Sequence, residues 1–134
     1  MRKYLLDTHT LVWTIVDESK LSKTVLGILQ DEKNELFVST VSFWEIAIKY
    51  AKGKLYLENF QIRNISDYCE RLDIKQIPLM SEDTIYYSEL LFSEEHKDPF
   101  DRMLICKSIR RNYTLVSKDS KMKIYEANGL KHIW

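Results

Sequence analysis

Apolar residues in this chain follow two rhythms that alternate from one end to the other. Short, nearly continuous runs read as buried strands: Lys3 to Asp7, Glu35 to Ser39, Ile74 to Pro78, Tyr113 to Ser117, and a last short one at His132 to Trp134. Between them, apolar positions recur every three or four residues, the spacing of a helix with one buried face. This pattern predicts helices after Asp7 (Leu11, Val12, Ile15, Val16), over Leu21 to Lys33, over Val41 to Lys52 with Gly53 as its stop, and over Leu57 to Leu72. Two more are predicted, from Ser81 as N-cap to about Phe92, and from Asp98-Pro99 to Arg111. In the third helix the apolar residues fill most of the circumference, and Glu45, Lys49 and Lys52 share the remaining arc, so Glu45 is expected to point away from the apolar side. Strands alternating with helices predict an α/β domain with a mostly parallel sheet covered on both faces. In such sheets, ligands bind at the carboxyl ends of the strands, near the point where strand order reverses.

Composition narrows the chemistry. The 134 residues suit one globular domain, and three Gly with two Pro exclude Gly-rich nucleotide loops, low-complexity segments and flexible linkers. Cys69 and Cys106 stand alone, which argues against a zinc ribbon or disulfide scaffold and for two buried thiols in a reducing compartment. Asp7 interrupts the N-terminal apolar stretch too early for a signal peptide, and no apolar run is long enough to span a bilayer. A soluble, cytoplasmic protein is expected. The balanced total of 20 basic and 20 acidic residues hides an asymmetry: residues 97–123 carry a net charge of +5 and residues 1–96 one of −5. A basic segment that keeps Asp98, Asp101 and Asp119 fits a site in which cations hold a polyanion and carboxylates hold a metal.

Four acids occupy comparable places in the predicted scheme: Asp7 ending the first strand, Glu45 on the helix after the second, Asp101 in the first turn of a helix, and Asp119 just past a late strand. Gathered within about 5 Å of one another, carboxylates repel by roughly 3 kcal/mol per pair at an effective dielectric near 20, so the cluster requires cations. An all-oxygen set without Cys or His suits Mg²⁺ or Mn²⁺, and phosphodiester chemistry follows. Each acid also has a structural use. Asp7 is placed to cap the helix starting at Thr8, Ser42-x-x-Glu45 has the form of a capping box, and Glu45 with Lys49 is an i,i+4 ion pair. Asp98 before Pro99 is a complete N-cap, Asp101 suits a helix dipole, and Asp119 a turn.

The segments Tyr4-Leu-Leu-Asp7-Thr-His-Thr-Leu-Val-Trp13, Ser42-Phe-Trp-Glu45-Ile-Ala-Ile-Lys49 with Gly53-Lys-Leu55, His96-Lys-Asp98-Pro-Phe-Asp101-Arg-Met-Leu104 and Leu115-Val-Ser-Lys-Asp119 resemble, in this order, the PIN domain, and within it the VapC-type toxins of type II toxin-antitoxin systems. The resemblance runs over the whole chain and implies a single PIN-like domain over 1–134, a three-layer α/β/α sandwich. It further implies a Mg²⁺- or Mn²⁺-dependent endoribonuclease with one or two ions, a homodimer, and inhibition by a cognate antitoxin. Carried over by position, Asp7, Glu45 and Asp101 would be the core metal ligands and Asp119 the fourth acid. Asp98, Lys49 and Ser117 would be accessory, Ser117 standing where many relatives have Thr. Attack by water would leave 5′-phosphate and 3′-hydroxyl ends.

Arg102, Arg110, Arg111, Lys118 and Lys121 are candidates for contacts to the RNA backbone. His9 and His96 are expected to be hydrogen-bonding neighbours of the acids rather than general bases. Trp13, Phe43, Trp44, Phe92 and Phe100 are expected in the core. Two rival functions remain: a phosphatase or phosphotransferase using Asp7 as nucleophile, and a catalytically silent module that binds RNA or a protein through the basic segment. The first lacks a second carboxylate two residues after Asp7, where His9 stands. The second gains nothing from four acids beside phosphate.

Overall fold

A computed structural model describes residues 2–54 and 60–134. Five strands form one sheet: β1 (Lys3–Leu6), β2 (Glu35–Ser39), β3 (Ile74–Ile77), β4 (Thr114–Val116) and β5 (Lys131–Ile133). Their order is β3-β2-β1-β4-β5 and every pairing is parallel, which sharpens the expectation of a mostly parallel sheet. The helices are α1 (Thr8–Val16), α2 (Lys23–Gln30), α3 (Thr40–Ala51), α4 (Ile65–Arg71), α5 (Ser81–Tyr86) and α6 (Pro99–Arg111). A 3-10 stretch, Ser120–Asn128, joins β4 to β5.

Alternation along each strand divides the core into two. Tyr4, Leu6, Leu36, Val38 and Val116 face one side, where they meet Leu11, Val12, Val25, Ile46, Ile65 and Cys69 from α1 to α4. Leu5, Phe37 and Leu115 face the other, against Leu104, Ile105 and Cys106 of α6 and Met122 and Tyr125 of the 3-10 stretch. Helices on both faces of a parallel sheet make the three-layer α/β/α sandwich. Both cysteines are free and buried, and burial pushes the Cys69 thiol up to about 11 and that of Cys106 to about 12. Among the described residues, no helix is long and apolar enough to cross a membrane.

Local chemistry sets the helix ends. Ser22 accepts from Val25 N–H at the start of α2, and Gly53 adopts φ 68°, a left-handed turn at the end of α3. Ser39, not Ser42, caps α3, because Ser39 is the last residue of the strand and its hydroxyl accepts from Val41 N–H. Ser42 thus lies inside the helix, and its hydroxyl accepts from Thr8 across to α1. The helix predicted to reach Phe92 stops at Tyr86 and tightens into a 3-10 turn, Tyr87–Glu89. At its start Met80 occupies the cap position, where its N–H is met by Asp83 Oδ2 at 3.1 Å. Of the helix predicted over Leu57 to Leu72, residues 57–59 lie outside the described residues and the regular helix begins at Ile65.

Lys107 of α6 is fully buried, with its ammonium 3.0 Å from Asp83 Oδ2 on α5 and donating to the Pro78 carbonyl. Arg111 reaches the same carboxylate oxygen at 3.4 Å. Burial works to raise Asp83, but the hydrogen bond and charge of Lys107 outweigh it and hold the carboxyl below its ordinary value. Removing one member strands a charge in a low dielectric, so Asp83→Ala is expected to cost about 3–5 kcal/mol in urea unfolding. The paired replacement Asp83→Leu with Lys107→Met is expected to recover most of that loss.

Candidate metal centre

Strand order reverses between β1 and β4, and the chain leaves both strands at the same edge of the sheet. Asp7 follows β1 and Ser117 follows β4; the Asp7 N–H donates to Val116 O at 3.1 Å and so locks the two exits together. One Asp7 oxygen caps α1, accepting from Thr10 N–H at 2.8 Å. The Ser117 hydroxyl accepts from Asp119 N–H at 3.2 Å, which leaves its own proton for Asp7. Asp7 is 4% exposed, and burial raises its carboxyl above the ordinary value despite the Ser117 and Thr10 hydrogen bonds, which pull it down.

The other acids arrive on helices. α3 packs against α1 and α6, which places Glu45 in the interior beside the sheet edge and not on a solvated arc as the sequence pattern suggested. The reason is that α3 is covered on two sides, which encloses Glu45 and leaves Trp44, Ala47 and Ala51 on its exposed face. Glu45 Oε2 accepts from Lys49 at 2.9 Å, the expected ion pair, while Oε1 is buried with no hydrogen-bond partner among the described residues. On α6, Asp98 caps Pro99 at the first position and accepts from Phe100 N–H at 2.8 Å. Asp101 sits one turn in, its carboxyl pushed up to about 6, first by burial, then by the charge of Asp98, with Glu45 and Asp7 adding to it. Asp7, Glu45, Asp98 and Asp101 therefore converge on one place.

Asp119, which caps the 3-10 stretch through Lys121 N–H at 2.9 Å, joins the group through His96. His96 is buried, with Nε2 3.3 Å from Asp101 Oδ2 and 3.9 Å from Asp119 Oδ2. Its Nδ1 lies 2.6 Å from the Tyr125 hydroxyl, which accepts from Arg102 Nη1 at 2.9 Å. Arginine only donates, so the tyrosine proton is free for Nδ1 and the ring proton is assigned to Nε2, directed at the acids. His96, Asp101 and Asp119 bring donor atoms within 4.8 Å of one another, but in this tautomer only the carboxylates offer lone pairs.

This donor set fits a hard divalent cation. A buried carboxylate oxygen without a partner and a neighbouring carboxyl pushed up by burial and then by like charge are both relieved by a positive ion, and the ligand atoms are oxygens.

Some expected residues lie elsewhere. Arg102 is 7% exposed and donates inward to Tyr87, Leu91 and Tyr125, so it holds the interior together and faces no backbone phosphate. Arg110 and Arg111 sit at the far end of α6, about 14 Å along the axis from Asp101, where Arg110 lies over Tyr86 and Arg111 meets Asp83. Lys118 and Lys121 are exposed beside Asp119. His9 is exposed and tilts against Trp13. Trp44 and Phe92 were expected in the core but are 62% and 73% exposed. Tyr125, which no sequence pattern marked, is fully buried beneath the site.

The family model of the PIN domain matches residues 4–128. No curated protein matches the chain. Among solved structures it is similar to VapBC2 from Rickettsia felis, bound to a DNA fragment from their promoter, with a TM-score of 0.71 at 22% identity over 98% of both chains. It is also similar to VapBC-1 from nontypeable Haemophilus influenzae, at 0.65 and 18% identity over 98% of this chain and 96% of that one. A domain of a functionally unknown protein from Methanocaldococcus jannaschii follows at 0.60 and 14% identity, over 100% of this chain and 91% of that one. At such identities the structural likeness speaks for the fold, and the family match, which takes in every acid of the centre, decides the rest: this chain belongs to the PIN domain family.

Proposed function

We propose that this protein is a Mg²⁺- or Mn²⁺-dependent endoribonuclease and the toxin of a toxin-antitoxin pair, acting in the cytoplasm as a homodimer. The buried, unpartnered Oε1 of Glu45 beside the raised carboxyl of Asp101 carries the metal half of this reading. PIN domains are typically nucleases, and the similar VapBC structures are toxin-antitoxin complexes, which supports a nuclease with an antitoxin as partner; RNA as substrate is what the resemblance of the motifs to VapC-type toxins implies.

Asp7, Glu45 and Asp101 would hold one or two ions, with Asp119 as the fourth acid and Asp98 close by. A divalent ion bound there supplies an activated water and neutralises charge on the phosphate. The protein's own part is to hold the oxygens. Asp7 is fixed by its cap and by Ser117, Glu45 is steadied by Lys49, and Asp101 is oriented by the proton of His96. Lys118 and Lys121, beside Asp119, are placed to meet phosphates of the strand. The buried Asp7 carboxylate, engaged in capping, is a poor nucleophile toward an incoming phosphate, which disfavours the aspartyl-phosphate alternative.

Three outcomes are expected. Asp7→Asn and Asp101→Asn, which keep the side-chain shape, should each lower cleavage of total cellular RNA by about 100-fold or more, and chelator should abolish cleavage by the unaltered protein, whose products should carry 5′-phosphates. A fully active Asp7→Asn, Asp101→Asn double variant would remove the assignment. Calorimetric affinity for Mn²⁺ should weaken about tenfold per pH unit below about 6, because a proton on Asp101 competes with the ion, and Asp101→Asn should flatten that dependence. In chelator, the folded-state value of Asp101 lies above that of an unfolded chain, so the native state binds the extra proton. The melting temperature should therefore fall as pH rises from about 4 to about 6, and the fall should be smaller in Asp101→Asn.

A further inference from the structure

The parallel strands all begin at the edge of the sheet opposite the acidic centre, about 13 Å from Asp7 along β1, and there the charge has the other sign. Arg2, Lys3, Arg111, Lys131 and His132 line a hollow of about 580 Å³ whose wall includes no carboxylate. The backbone fixes their convergence. Lys3 and Lys131 open β1 and β5 on either side of β4, and Arg111 ends α6 just before Asn112, at φ 57°, turns the chain into β4. His132 has its own partner in Glu126 at 2.9 Å, and Arg111 meets Asp83, an acid already held by Lys107. Arg2, Lys3 and Lys131 are exposed and form no ion pair among the described residues, and Arg111 Nε is buried with no hydrogen-bond partner among them. In a chain of 20 basic and 20 acidic residues, this excess of cations is a local arrangement and not the average of the surface.

We propose that this hollow binds a small ligand carrying a chain of phosphates, a nucleoside triphosphate or an inorganic polyphosphate, held by Arg2, Lys3, Lys131 and Arg111. The site is independent of the nuclease reading, since it lies across the sheet from the acids and needs no metal. Its volume falls within the range of small-molecule sites, about 300–1,000 Å³. Cations gathered in a concavity repel one another as the clustered carboxylates do, and a ligand with several negative charges in a short length cancels that repulsion at once. Phosphate suits the donors: the planar forks of Arg2 and Arg111 match its oxygens in pairs, and lysine ammonium groups meet it as point charges. A nucleic-acid duplex carries its phosphates on a convex surface and does not seat them in a hollow. Beyond Arg2 a second hollow of about 400 Å³ carries Asp31 as well as Lys33, so the uncompensated charge ends there and bounds the ligand's length. A ligand held this way ties the starts of β1 and β5 to the end of α6.

The probes are tripolyphosphate, ATP and orthophosphate, titrated calorimetrically into the full chain in chelator, so that no divalent ion links a phosphate to the acidic centre. Tripolyphosphate or ATP should bind at least about tenfold more tightly than orthophosphate and should raise the melting temperature. Arg2→Ala and Lys131→Ala, both at exposed positions, should each raise Kd roughly 5-fold, and the double variant roughly 25-fold, with the melting temperature of the free protein nearly unchanged. Lys97→Ala, an equal loss of charge beside the acidic centre, should leave Kd unaltered. ATP and tripolyphosphate binding alike would make the phosphate chain the whole of what is recognised, and tighter binding of ATP would add its nucleoside; both outcomes uphold the site. Failure of the parent to bind either probe overturns it. So does a Kd that falls equally short in Lys97→Ala and Lys131→Ala, which would reduce the effect to overall charge. Loss of RNA affinity in the double variant, with no tripolyphosphate bound by the parent, would give the surface to a nucleic-acid strand and also overturn the proposal.

Discussion

Like charges held close together are the constraint around which this molecule is arranged. Two carboxylates about 5 Å apart repel by roughly 3 kcal/mol even at an effective dielectric near 20, and burial adds to the cost. The effect is visible in Asp101, raised by burial and by three neighbouring acids. What offsets it is distributed over the fold. Asp7 and Asp98 lie at the positive starts of helices, Lys49 holds one oxygen of Glu45, and Ser117 bridges the backbone of Asp119 and the side chain of Asp7. The remaining imbalance is what a cation would cancel.

The parallel sheet is what allows this crowding. With strand order β3-β2-β1-β4-β5, successive connections leave in opposite directions from the β1 and β4 exits, and a crevice opens between them. Asp7 and Ser117 stand at its two lips, α3 and α6 close over it, and His96 is carried on the approach to α6. The chain of donors from Arg102 through Tyr125 to His96 runs from the second core to the acids. Arg102 is therefore a buried organiser, although its charge suggested a surface role.

Strands were legible in the sequence because a strand buried on both faces is apolar at nearly every position, as at Leu36-Phe-Val38. The start of α6 was legible because Asp98-Pro99 is a complete N-cap, and the structure closes its end with Asn112 in a left-handed conformation. Glu45 was recognised by order along the chain, but its burial was not, since a single helix does not reveal how many neighbours cover it. The same blindness put Trp44 in the core. Its apolar neighbours Phe43 and Ile46 do face inward, and nothing local distinguishes a third apolar residue beside them that faces out. Tyr125 was invisible because a 3-10 stretch has neither of the periodicities that sequence reading uses.

Three of the acids share a feature with a bearing on motion. Asp7, Asp98 and Asp119 each commit an oxygen to a backbone N–H at the start of a helix or 3-10 stretch. The accuracy with which their carboxylates are placed is thus inherited from those starts, and ends of helices are where native proteins open most cheaply. Fraying of a single turn, far short of global unfolding, is enough to scatter the oxygens. The centre's lifetime as an assembled object is set by local opening at three chain positions, and a ligand shared among them would stitch all three shut at once.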